Sequence, residues 1–154
     1  MKSVTSLTAV SSTQRGFTLV EILIGVAIAG VLAAIAIPAY TTFIYKSDVR
    51  AAQSDLLSLS LKLESRYQRT LAYPILADDK KDNTDGIKEK LEGWSPNSNS
   101  RDFNFKFEEN TESTYKITAE GKAGSRQKDC KISLTHNNER TTSNCKYLDD
   151  GKWL

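Results

Sequence analysis

Glu21 is the single ionisable side chain between Phe17 and Ile37, a stretch that is otherwise apolar apart from Thr18 and two glycines. Held deep in hydrocarbon, a carboxylate costs roughly 2.5–3.5 kcal/mol, so a group of opposite charge must neutralise it. A second place for chemistry is the pair Cys130 and Cys145. A zinc site needs more ligands than these, and His136 is the lone histidine, so one disulfide in an oxidising compartment is the better reading. No nucleophile sits in a recognisable elbow, no glycine pattern cradles phosphate, and no acid, His and Cys set has metal-ligand spacing. The chain is expected not to be an enzyme, and no cofactor or metal is called for.

The segment that holds Glu21 is long enough to cross a bilayer. A helix from Phe17 to Ile37, rising 1.5 Å per residue, covers about 30 Å, the thickness of a hydrocarbon core. Met1 to Gly16 carries Lys2 and Arg15 and no acid, whereas Lys46, Asp48 and Arg50 beyond the apolar run are mixed in sign. That asymmetry leaves the leader in the cytoplasm and exports the rest. The chain has 21 basic and 19 acidic residues, which become equal once Lys2 and Arg15 leave with the leader. No global field then draws the mature chain to nucleic acid or acidic lipid.

Arg15-Gly16-Phe17-Thr18-Leu19-Val20-Glu21, followed by Gly30, Ala33-Ala34-Ile35-Ala36-Ile37-Pro38 and Tyr40, resembles the class III leader and N-terminal helix of type IV pilins. The likeness is strong from Arg15 to about Tyr45 and weaker in Glu64, Tyr67, Tyr73, Pro74 and the cysteine pair. It implies that a prepilin peptidase cuts between Gly16 and Phe17 and that the freed amino group of Phe17 is methylated. It also implies that Glu21 serves filament assembly by pairing with that amino group, with Gly30 and Pro38 as weak points in the same helix. The expected partners are other pilin subunits, the peptidase, the inner-membrane assembly platform and the membrane itself. The expected location is a single pass of the inner membrane, with a periplasmic C-terminal domain, and then a pilus at the cell surface. Such pili serve twitching motility, adhesion or DNA uptake. The helix exit at Tyr67 to Pro74 and the short cysteine hairpin resemble a small minor pilin more than a major one. Two other readings stand beside it: a pseudopilin of type II secretion, and a secreted binding domain whose ordinary signal is cut after Ala36, leaving Ile37 as terminus.

Past the membrane segment, Tyr45, Val49, Ala52, Leu56, Leu59, Leu63 and Tyr67 recur at steps of three or four, which stacks them in one stripe. Lys46, Arg50, Gln53, Ser54, Lys62, Glu64 and Gln68 fall elsewhere. No glycine or proline interrupts Tyr40 to Tyr73, so one helix is expected from about Thr18 to about Arg69. Pro38 inside it removes a backbone donor and predicts a kink or weak point near Ala34 to Pro38. Leu57 and Leu61 form an i, i+4 pair off the stripe, either as scattered surface leucines or as a contact with neighbouring subunits.

Asp78 to Gly86 reads as a solvated loop, and the spacing of a calcium loop is absent. Ile87, Leu91 and Trp94 share a helical face between Asp85, as N-cap, and Gly93, as stop. Period two then takes over in Phe103, Phe105 and Phe107, in Tyr115, Ile117 and Ala119, and in Cys130, Ile132 and Leu134, which predicts three half-buried strands in an antiparallel meander. If His136 to Glu139 form a four-residue hairpin loop, Thr135 opposes Arg140 and Cys130 opposes Cys145. Lys122, Arg126, Lys128, Lys131, Arg140 and Lys146, with Tyr147 and Trp153, form the one candidate nucleic-acid surface. Asp129, Glu139, Asp149 and Asp150 interleave with them, which favours a solvated face.

The fold class expected is therefore α+β, a long N-terminal helix packed on a small antiparallel sheet. Its segments are a leader at 1–16, a membrane and filament-core helix at 17–37 and its amphipathic continuation at 38–70. A connection with a short helix follows at 71–101, and the sheet with its disulfide hairpin at 102–154.

Overall fold

The computed structural model describes residues 16–97 and 100–154. The expected leader before Gly16 lies outside the described residues. The chain divides into two compact units, one ending at Pro38 and the other Ala39–Leu154.

Helix α1 runs Leu19–Thr70 and holds Pro38 in its interior. Thr18 caps its start, the side-chain oxygen accepting the Glu21 amide at 3.2 Å, and Thr18-x-x-Glu21 has the spacing of a capping box. At its other end Leu71 takes a left-handed conformation, φ 58°, and its amide closes on the Tyr67 carbonyl at 2.7 Å, one of the ways a helix satisfies its last carbonyls.

In the second unit the expected stripe is the buried one. Tyr45, Val49, Ala52, Leu56, Leu59 and Leu63 are buried, and Tyr67 packs at the margin. Each such large apolar side chain contributes about 1.5–3 kcal/mol when fully buried. Gln53, placed by periodicity on the polar side, is buried, as are Asp48 and Asp55. The buried arc is thus wider than one stripe; loops supply partners to Asp48 and Asp55, whereas the buried Gln53 Nε2 has none among the described residues. Leu57 packs against the core, while Leu61 stays exposed.

Four strands form one antiparallel sheet in sequence order: β1 Phe103–Asn110, β2 Tyr115–Gly121, β3 Lys131–Thr135 and β4 Arg140–Ser143. The alternating residues point inward as their period requires, with Phe103, Phe105, Phe107, Tyr115, Ile117, Ala119, Ile132 and Leu134 all buried. A bulge at Glu108 shifts the β1–β2 register between Phe107 and Glu109.

Three local expectations need correction. Asp78 to Lys81 is a helical turn, α2, rather than loop, supported by the i, i+3 pair of Lys81 with Asp78 at 2.7 Å. Helix α3, Thr84–Lys90, starts at Asn83 rather than Asp85, since the Asn83 side chain accepts the Gly86 amide at 2.7 Å. The β3–β4 hairpin is one residue tighter than expected. Leu134 opposes Arg140, and the Thr135 amide donates to the Glu139 carbonyl at 3.1 Å. Asn138 takes φ 59°, the left-handed position of a three-residue loop that Asn tolerates well.

Candidate functional site

The first unit carries the assembly residues. Gly16, Phe17, Glu21, Gly30 and Pro38 are all exposed, together with every other described residue up to Pro38. The unit therefore presents a bare apolar surface, and by length and composition α1 is suited to cross a membrane. A Cβ built on Gly30 meets nothing within 4 Å, so packing inside this chain does not demand glycine there. Glu21 stands in the first turn of α1, where the partial positive charge of the helix end favours a carboxylate.

In the second unit Cys130 and Cys145 are joined, with Cα atoms 4.2 Å apart. The tighter hairpin would offset the two residues by one position. Asn144, at φ 55°, takes up that offset just before Cys145.

The six cations that sequence grouped as a nucleic-acid surface do not share one condition. Arg126 is committed to Asp48 at 3.2 Å and Asp102 at 3.7 Å. Lys131 pairs with Glu108, which also holds Lys116 at 2.8 Å. Burial pushes the Glu108 carboxyl up, but hydrogen bonds and charge from these two lysines outweigh it and hold the group below the usual carboxylate range. Lys122 Nζ donates to the Arg101 carbonyl at 2.7 Å. Arg140 lies 5.2 Å over the Trp153 ring and Lys146 4.9 Å over Tyr147, arrangements in which the ring face attracts the cation. Of the six, then, Arg126 and Lys131 are neutralised by carboxylates, whereas Lys122, Lys128, Arg140 and Lys146 form no ion pair with a described carboxylate.

Sequence reasoning missed the polar groups that fix the loops on α1. Asp55 Oδ2 accepts the Asn97 amide at 2.9 Å and the Ser100 hydroxyl, and burial raises its carboxyl while those two bonds oppose the rise. Trp94 Nε1 donates to Ser58 Oγ at 3.0 Å, and its ring stands edge-on to Phe105 at 5.4 Å. Gln127, fully buried, donates to the Tyr45 carbonyl at 3.2 Å and thereby folds the β2–β3 connection onto α1. Aspartate at a buried helix position is the signal that was legible, since it survives there only with donors to meet it.

A capped apolar helix continuing as an amphipathic one, a four-stranded antiparallel meander and a disulfide-closed hairpin together define the architecture of a type IV pilin. Residues 38–135 match the family model described as "Type IV minor pilin ComP, DNA uptake sequence receptor", and the chain belongs to that family. Residues 11–37 match the prokaryotic N-terminal methylation motif. The type IV major fimbrial protein FimA of Dichelobacter nodosus is 46% identical over 54 residues, 35% of either chain. A fimbrial protein of Pseudomonas aeruginosa is 48% identical over 52 residues, 34% of either chain. The chain thus spans about a third of the length of the curated relatives it matches. The non-core minor pilin PilV of Neisseria meningitidis superposes with a TM-score of 0.50 at 13% identity, over 70% of this chain and 99% of that one. At that identity the likeness concerns the fold alone.

Proposed function

We propose that the protein is a minor subunit of a type IV pilus that contributes a DNA-receiving surface to the filament. The observation that carries this reading is the family match over 38–135, which spans most of the folded unit Ala39–Leu154. In this reading the precursor crosses the inner membrane once, with the leader cytoplasmic and the disulfide-closed domain periplasmic. The peptidase cuts between Gly16 and Phe17, Phe17 is methylated, and the assembly platform draws the subunit into the filament. There the apolar face of Phe17 to Ile37 exchanges lipid for the helices of other pilins, which relieves the exposure of a bare apolar surface. Glu21 finds the α-amino group of Phe17 on a neighbouring subunit. Gly30 and Pro38, each unfavourable inside a helix, are the points at which the segment yields when the filament is stretched.

The test is mass spectrometry of filaments sheared from cells, paired with DNA uptake by a strain lacking the chain. The expected result is a minor component beginning at methylated Phe17, and a strain that still makes pili but takes up less DNA. Absence from the sheared fraction, or a terminus at Ile37, would overturn subunit status; unchanged uptake would overturn the receptor role.

A further inference from the structure

Lys62, Arg66 and Arg69 stand at i, i+4 and i+7 of α1 and therefore line one helix face. With Lys90 from the end of α3, and with Leu91 and Glu92, they border a cleft of about 350 Å³. None of the four cations forms an ion pair with a carboxylate of the described residues, Glu92 included. Elsewhere in the unit several cations are neutralised within the fold: Lys80 by Glu89, Lys106 by Glu120, Lys116 and Lys131 by Glu108, and Arg126 by Asp48. Like charges three and four apart on a helix repel and destabilise it modestly. Arg69 is eased in part by its bond from Nε to the Ser65 carbonyl at 3.2 Å and by its place in the last turn of α1, but no carboxylate offsets the repulsion along this face, which an external anion would relieve. Gly93 shapes the rim. It sits at φ 80°, and a Cβ there would lie 3.1 Å from Lys62 Nζ, so the turn leaves the ammonium group its space.

We infer that this face binds successive phosphates of one DNA strand, an inference that rests on the DNA-receptor reading above and names the surface that performs it. The three α1 cations extend over about 10 Å at 1.5 Å rise per residue, and phosphates of one strand advance about 3.4 Å along the duplex axis. Along the axis, a row of about four phosphates of one strand matches that length. The Arg66 guanidinium, and the terminal nitrogens of Arg69 whose Nε is held by the Ser65 carbonyl, suit phosphate contact, and Lys62 and Lys90 supply compact charges beside them. The wall is shallow and charged rather than a deep apolar pocket, so a small-molecule ligand is a poorer fit. Contacts of this kind fix position on DNA and carry no sequence information. All four residues lie within the segment 38–135 that matches the family, whereas Arg140, Lys146 and Lys152 lie beyond it.

The test uses the full processed chain in detergent micelles and fluorescence anisotropy of a labelled duplex of about 20 bp of arbitrary sequence, with salt varied from about 50 to 200 mM. Lys62→Gln combined with Arg66→Gln is expected to weaken binding at least ~10-fold and to make the slope of log K against log salt shallower by about 2, since each neutralised phosphate contributes about 0.9. Arg69→Glu with Lys90→Glu should weaken it further. Lys146→Gln with Lys152→Gln should leave both affinity and slope close to wild type. All replaced side chains are exposed, so thermal melting is expected to shift by only a few degrees and serves as the folding control. Wild-type binding with no response to the α1 substitutions would overturn this site and leave the receptor reading standing. An equal response to both sets of substitutions would show diffuse attraction and also overturn the site. Failure of the wild type to bind duplex, or binding only to anionic phosphatidylglycerol vesicles, would overturn the site and the receptor reading together.

Discussion

The Tyr73 hydroxyl donates to Glu64 Oε1 at 2.8 Å, tying the chain that leaves α1 back onto the helix. The same oxygen accepts from Tyr115 of β2 at 3.0 Å, and the Tyr73 ring packs on Tyr67 at 4.6 Å and edge-on to Tyr115 at 4.9 Å. One carboxylate thus gathers the helix, the loop exit and the sheet.

This cluster sets an alkaline limit. Burial, followed by the hydrogen bond and charge of Glu64, raises the Tyr73 hydroxyl above its ordinary value. Tyr115 is pushed up to about 12, by burial first and by Glu64, with the Ser60 bond opposing. A phenol that holds its proton longer in the folded state contributes stability that is whole below about pH 10 and is lost as pH rises toward 12. The urea midpoint should therefore be level up to about pH 10 and then fall, with Tyr115 alone contributing about 1.4 kcal/mol per pH unit over that window. Glu64→Gln should bring tyrosinate absorbance in at lower pH. A titration indistinguishable from wild type would mean that Glu64 does not control these hydroxyls.

Gly121 closes β2 where the β2–β3 connection folds back. A Cβ there would lie 1.7 Å from the Gln127 carbonyl oxygen and 2.4 Å from its carbon, a collision with backbone that no rotamer change relieves. Gly121→Ala should destabilise by about 1–3 kcal/mol or more, as overpacking does, and should loosen Gln127 and Arg126 from α1. Amide exchange at Gln127 measures the second effect separately from the denaturation midpoint. Full protection in the variant would contradict the close approach.

How much of this was legible in the sequence depends on the range of the interaction. The α1 stripe and the inward residues of β1 to β3 were readable because periodicity depends only on the chain's own geometry. The hairpin register was missed by one residue because Asn138 and Asn144 adopt left-handed conformations that a count of positions cannot see. Asn83 was passed over for Asp85 because both are good caps and only the bond to the Gly86 amide decides between them. The cleft at Lys62, Arg66 and Arg69 stayed hidden for another reason. In sequence these residues are an ordinary polar face; what distinguishes them is the arrival of Lys90 and the lack of a carboxylate partner, both long-range facts.

The disulfide between Cys130 and Cys145 closes a separation of 15 residues, for which loop-closure entropy gives about 3 kcal/mol. Replacing both cysteines by serine should lower the unfolding free energy by that order, seen as a lower urea midpoint, with the denaturant slope equal or somewhat steeper because the unfolded chain is freed. Chemical reduction of the wild type should reproduce the loss. A loss below about 1 kcal/mol would show that hairpin hydrogen bonds already restrict the unfolded chain there.

Two roles compete for Glu21, and they separate by substitution. Its amide is capped by Thr18 and its carboxylate lies in the first turn of α1, where a negative charge contributes about 0.3–1 kcal/mol to the helix. Were capping its whole contribution, Glu21→Gln would be nearly harmless, because glutamine serves at that position of a capping box, and Thr18→Ala would be the damaging change. Pairing with the Phe17 amino group of a neighbouring subunit demands the charge instead. Losing one partner of such a pair in an apolar core costs about 3–5 kcal/mol, because the other is left uncompensated. Glu21→Gln and Glu21→Ala should then both cut incorporation into sheared filaments at least ~10-fold, given that ~1.4 kcal/mol is tenfold, while membrane insertion of the precursor is unchanged. Thr18→Ala should remain near wild type. Incorporation of the glutamine variant at the wild-type level, with the threonine variant impaired, would assign Glu21 to helix capping and remove the charge pair from the assembly mechanism.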